Sequence, residues 1–193
     1  PWWQAKVLGQ FPDSASNAVI PLAWVEAARA RSHVPDAREW AGLDVARYGT
    51  DDTVLVTGSG NGFEEIEVVH GQGTMETAGM GIRYLNARRG SLAVDVIGVG
   101  SGVVDRIREQ HPPGQLLAVN VGEQADRDRE LLSNLGAQVW WEMRHALDPA
   151  TEDGLSFARL PETTYQRLRS ELTGPTYRFN SSGKVVIESK EEM

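Results

Sequence analysis

The sequence predicts an α/β fold: a mixed sheet of a three-strand antiparallel meander plus parallel strands, flanked by helices, with a C-terminal β-hairpin. Three observations predict it. Between residues 43 and 70, three apolar runs follow one another with only tight, polar or Gly-rich turns between them. From Thr74 onward, helix-period and strand-like segments alternate, the pattern that adds parallel strands to a sheet. Near the end, Asn180-Ser181-Ser182-Gly183 separates two short β-prone runs, which is a hairpin signature.

Residues 1–40 read as a lead-in or linker, and residues 41–193 as the folded domain. The opening Pro1-Trp2-Trp3 has the abruptness of a fragment. Pro21 stands where proline favours a helix start, so Leu22 to Arg31 is expected to be helical. Residues 43–47 read as a buried strand. The turn Gly49-Thr50-Asp51-Asp52 leads to a second strand at 53–57, and Gly58-Ser59-Gly60-Asn61-Gly62 turns into a third at 64–70. A helix over 74–86, a strand over 92–96, a helix over 103–110 and a strand over 116–121 follow. Further helices are expected at 126–135, 137–147 and 161–172. The hairpin strands 177–179 and 184–188 are expected to lean on the body through Tyr177, Phe179, Val185 and Ile187, since an isolated hairpin is marginal. A meander of three strands followed by strand–helix alternation is the ribonuclease H-like order. A doubly wound fold would alternate from its first strand.

Composition narrows the chemistry. The chain has 193 residues, a net charge of −8 and no cysteine, so no disulfide, thiolate zinc site or thiol nucleophile can be built from it. The four histidines, at 33, 70, 111 and 145, have no metal-ligand spacing. Each reads as structural or exposed, with His145 beside Arg144 the one worth testing. A metal site here must use oxygen ligands, which favours Mg or Mn. The acidic balance argues against a strong free-standing nucleic-acid binder, whose mark is a basic domain. A nuclease remains compatible, because catalytic acids add negative charge themselves. No G-x-x-x-x-G-K-[ST] sequence occurs, so ATP hydrolysis by that route is excluded.

Two acids carry the functional reading. Asp44 lies in Gly42-Leu43-Asp44-Val45-Ala46 and Asp95 in Leu92-Ala93-Val94-Asp95-Val96-Ile97, each just before a Gly-rich break. A carboxylate among apolar strand residues is costly unless a metal or hydrogen bonds compensate it. The glycines at 98, 100 and 102 let backbone approach closely, but they miss the G-x-G-x-x-G spacing by one residue. Asp51 and Asp52 read as turn and cap residues, Asp105 as a helix N-terminal charge, Glu64, Glu65 and Glu67 as a solvated hairpin, and Trp140 and Trp141 as core. The chemistry that fits is phosphodiester hydrolysis with two divalent ions, Asp44 bridging both and Asp95 completing one, so both acids are assigned as catalytic residues and metal ligands. Arg47 beside the first acid and Lys184 on the hairpin tip are the candidate DNA contacts, and binding is expected to be weak and salt-sensitive.

Four segments together resemble the C-terminal nuclease domain of tailed-bacteriophage terminase large subunits. They are Leu8-Gly9-x-Phe11-Pro12, the 42–53 stretch around Asp44, the 94–106 stretch around Asp95, and a tail of Leu160-Pro161, Tyr165 and Leu168 followed by a hairpin and Ile187-Glu188-Ser189-Lys190-Glu191-Glu192-Met193. The resemblance spans nearly the whole chain. It implies Mg- or Mn-dependent cutting of double-stranded DNA during genome packaging, with two ions in the complete site. It implies an ATPase motor domain before Pro1, a third catalytic aspartate beyond Met193, the portal and small terminase subunit as partners, and a place in the host cytoplasm outside the mature virion, with no membrane. Other readings of the same residues are a Holliday-junction resolvase or transposase core, an actin-like sugar kinase, and a non-catalytic α/β interaction domain.

Overall fold

The computed structural model describes residues 17–46, 51–88 and 90–188. These fall into two units, a sheet unit of residues 32–121 with 157–160, and a helical unit of residues 17–31, 122–156 and 161–188.

The sheet unit begins with the meander. Strand β1 (Glu39–Asp44) pairs antiparallel with β2 (Asp52–Ser59), and β2 with β3 (Gly62–His70). Helix α1 of the helical unit (Leu22–Ala30) precedes them in the chain. Helix α2 (Thr74–Arg88) then leads to β4 (Ser91–Asp95), which joins β1 in parallel. Helix α3 (Gly100–Glu109) leads to β5 (Gln115–Val119), parallel to β4. The strand order is β3-β2-β1-β4-β5, the mixed sheet expected from the sequence.

Alternation along the strands decides what each face meets. Ala41, Leu43, Leu55, Leu92 and Val94 all point to one face, where they are buried against Ala78, Met80 and Leu85 of α2 and Val103, Val104 and Ile107 of α3. Within this unit both helices therefore cover the same face. On the opposite face, at the end where β1 begins, Phe157 packs edge-on against Phe63, and Phe63 against Trp40, each with centroids 5.0 Å apart. Phe157 is fully buried, and Arg159 holds its segment by a 3.1 Å ion pair to Glu64.

The helical unit comprises α1, α4 (Leu135–Leu147), α5 (Glu162–Leu172) and the hairpin β6 (Thr176–Phe179)–β7 (Val185–Glu188). Arg144 of α4 sits between the rings of Trp24 and Trp141, 4.7 and 5.4 Å from their centroids, and donates to the Val19 carbonyl. The hairpin is anchored by Val185, buried with Ala125, Leu132 and Ala137, and by Tyr177, edge-on to Trp141 at 5.3 Å.

Several expected elements change. The first strand runs over Glu39–Asp44 instead of 43–47, because its ladder starts at Glu39 opposite Ser59. Asp44 thus ends the strand. Residues 126–135 do not form the expected helix. Asp128 adopts a left-handed conformation, φ 48°, and the Gln138 side chain takes the N–H groups of Asp126 and Arg127. Leu132 instead bridges to Val185, and α4 starts after Asn134, whose side chain caps Ala137 N–H at 2.8 Å. Helix α3 starts at Gly100, so Asp105 sits mid-helix beside Arg108 (3.5 Å) and not at the N-terminus. Phe179 touches Tyr177 but is 64% exposed, so it does not anchor the hairpin as expected. Trp140 and Trp141 are half-buried.

Candidate metal centre

Asp44 closes β1 and Asp95 closes β4, adjacent parallel strands. The ladder pairs Gly42 with Ala93 and Leu43 with Val94. One residue further, the same register sets Asp44 opposite Asp95. Since Leu43 and Val94 point into the core, strand alternation turns both acids to the other face. Both stand at the carboxyl ends of parallel strands, where ligand sites of open α/β sheets form.

The surroundings explain the charge state. Asp44 keeps a solvent-exposed edge, but the protein wall around it withdraws hydration, and this is the main cause pushing its carboxyl above the usual range. Repulsion from Asp95 is the next cause and Asp51 adds a smaller push, while a hydrogen bond with Val45 N–H acts the other way. Among the described residues neither carboxylate has an Arg or Lys ion partner. Asp95 is half-buried, and its Oδ1 accepts from Ile97 N–H at 3.0 Å, which fixes its orientation. Gly98 then takes φ +68°, and Gly100 opens α3 against the Asp95 carbonyl, where a Cβ would lie 1.8 Å from the oxygen. Gly98 and Gly102 both meet nothing within 4 Å, but Gly98 has a positive φ, so of the three only Gly102 has no requirement for glycine.

Two crowded, uncompensated carboxylates offering only oxygen donors fit a hard divalent cation such as Mg or Mn. Among the described residues, no group of three or more acids or histidines is set to hold a metal. Of the other expected site residues, Arg47 lies outside the described residues. Lys184 is a half-buried residue of the hairpin in the helical unit, with its N–H bonded to Asn180 Oδ1 at 2.9 Å.

Two features escaped the sequence reading. Asp51 acts on Asp44 electrostatically, beyond its turn role. Asp52 opens β2 on the same face as Asp44 and bonds His70 of β3 (Oδ1 to Nδ1, 3.1 Å). A third cluster has the residue types of a nucleophile triad in the wrong order. Buried Ser59 donates its hydroxyl to Glu64 (2.9 Å), and His33 Nε2 lies 3.0 Å from the Ser59 carbonyl oxygen and 3.4 Å from its hydroxyl, so the hydroxyl stands between imidazole and acid and the imidazole does not stand between hydroxyl and acid.

No family model matches the chain, and no curated protein matches it. Solved structures do. The nuclease domain of the large terminase subunit gp2 of bacterial virus Sf6 superposes with a TM-score of 0.78 and 21% identity, over 91% of this chain and 90% of that one. A mutant of that domain with manganese and β-thujaplicinol gives 0.77 and 19%, with the same coverage. The large terminase nuclease of thermophilic phage G20c with bound magnesium gives 0.63 and 14%, over 91% and 89%. Over 91% of its length, then, this chain has the ribonuclease H-like fold seen in the nuclease domains of phage large terminase subunits.

Proposed function

We propose that the chain is a metal-dependent endonuclease domain that cuts double-stranded DNA during phage genome packaging, with Asp44 and Asp95 as catalytic metal ligands. The observation that carries this is the placement of the two acids opposite one another on one face at the carboxyl ends of β1 and β4. The fold of the relatives supports it, as do the magnesium and manganese in their structures. Bound divalent ions would supply an activated water and stabilise the leaving 3′ oxygen. The chain's own residues hold the ions: Asp44 from the central strand, Asp95 beside it with its orientation set by Ile97 N–H. A third aspartate beyond Met193 belongs to the proposal, as do the motor domain, portal and small terminase subunit as partners in the host cytoplasm. With a net charge of −8, DNA is held by local phosphate contacts, Arg47 and Lys184 among them, and binding falls steeply with salt.

The test is nicking of supercoiled plasmid in Mn2+ by the full-length protein. Cleavage that is lost in both Asp44→Ala and Asp95→Ala, with folding retained, supports the proposal. Wild-type cleavage in either variant refutes it.

A further inference from the structure

The Asp52–His70 pair belongs to neither the core nor the metal centre. In the β1–β2 ladder Asp44 faces Val54, and in the β2–β3 ladder Val54 faces Val68 and Asp52 faces His70. Residues opposite one another in a ladder share a face. Alternation then puts Asp52, Val54, Val68 and His70 on the face that carries Asp44 and Asp95. Because β2 runs antiparallel to β1, its first residue Asp52 lies beyond the end of β1 at which Asp44 stands. By ladder spacing His70 is two strands and two residues from Asp44, roughly 12 Å away.

The chemistry of the pair is directional. Asp52 Oδ1 lies 3.1 Å from His70 Nδ1, so Nδ1 carries the proton and donates. The carboxylate fixes the ring, and 66% of the histidine side chain is exposed. Nε2 has no partner among the described residues. A ring protonated on both nitrogens presents an Nε2–H donor and a positive charge held in one orientation. Val68, 40% exposed, borders it on the same strand and brings no competing charge. A carboxylate-oriented ring on the acid-bearing face, with Nε2 open to carry a second N–H donor, matches an anionic oxygen such as that of a phosphodiester.

We propose that His70, oriented by Asp52, binds a backbone phosphate of the DNA that crosses this face, a few nucleotides from the cut. The inference rests on the nuclease reading above. His70 is a positioning residue: it touches substrate away from the reacting atoms.

The test is fluorescence anisotropy of a labelled DNA duplex with the chain in EDTA, where no cleavage intervenes, across a salt series. His70→Ala is expected to weaken binding about tenfold at low salt and to flatten the log Kd against log salt slope by roughly 0.9. His70→Arg, which supplies a cationic donor, restores most of both. Asp52→Asn, which keeps the ring and loses its orienting charge, falls between. Thermal stability and Mn2+ binding stay at wild-type values in His70→Ala. An unchanged Kd and slope in His70→Ala overturns the proposal, as does a His70→Arg variant as weak as the alanine. These readouts need no cleavage, so they separate this inference from the nuclease reading, which stands or falls on Asp44.

Discussion

A Cβ placed on Gly100 would lie 1.8 Å from the carbonyl oxygen of Asp95. Helix α3 can start where it does only because position 100 has no side chain, and that start holds the Asp95 turn in place. Gly100→Ala is therefore expected to push α3 off β4, at a cost of about 1–3 kcal/mol, and to weaken Mn2+ binding. Gly102→Ala, with open space around it, is expected to be neutral or stabilising by about 0.5–1 kcal/mol. Urea unfolding of the two variants, with and without Mn2+, checks both. Equal losses at 100 and 102 would contradict the account.

Asp44 sets a pH dependence. Burial and the charge of Asp95 raise its carboxyl pKa above 3.8 in the folded protein. Between that value and the raised one, the folded state binds more protons than the unfolded state, so this group's contribution to stability falls as pH rises. At neutral pH the ionised pair opposes folding. Asp44→Asn is expected to raise the melting temperature in metal-free buffer at pH 7 and to lose that advantage as pH falls through the carboxylate range. Mn2+ stabilises the wild type and not the variant. Scanning calorimetry across pH reads all three, and a variant less stable than wild type in metal-free buffer at pH 7 contradicts the reading.

Phe157 ties its short segment to the sheet by stacking edge-on with Phe63. Its side chain is fully buried, so Phe157→Ala should cost about 3–5 kcal/mol. Because the stack sits at the opposite end of β1 from Asp44, Mn2+ affinity of the folded variant should be unchanged. Chemical denaturation and a Mn2+ titration below the transition test the two halves of that statement.

The sheet was legible because its strands are apolar runs divided by glycine and asparagine turns, and Asp44 and Asp95 stood out as charges inside two of them. The start of β1 was less visible, since Glu39 and Gly42 weaken the strand pattern although Trp40 packs well on Phe63. The segment 126–135 has helix-like charge spacing, but the Gln138 side chain and the Leu132–Val185 bridge take its backbone groups. Those are long-range contacts, which local propensity does not encode. Asp52 and His70 were hidden for the same reason: 18 residues apart, they meet only through the β2–β3 register.

The central claim is that Asp44 and Asp95 share one divalent ion. Anomalous diffraction from crystals of the chain grown with Mn2+ measures this directly. The account predicts a manganese peak bonded to a carboxylate oxygen of each residue. Manganese bound elsewhere, with none bonded to both acids, would contradict it.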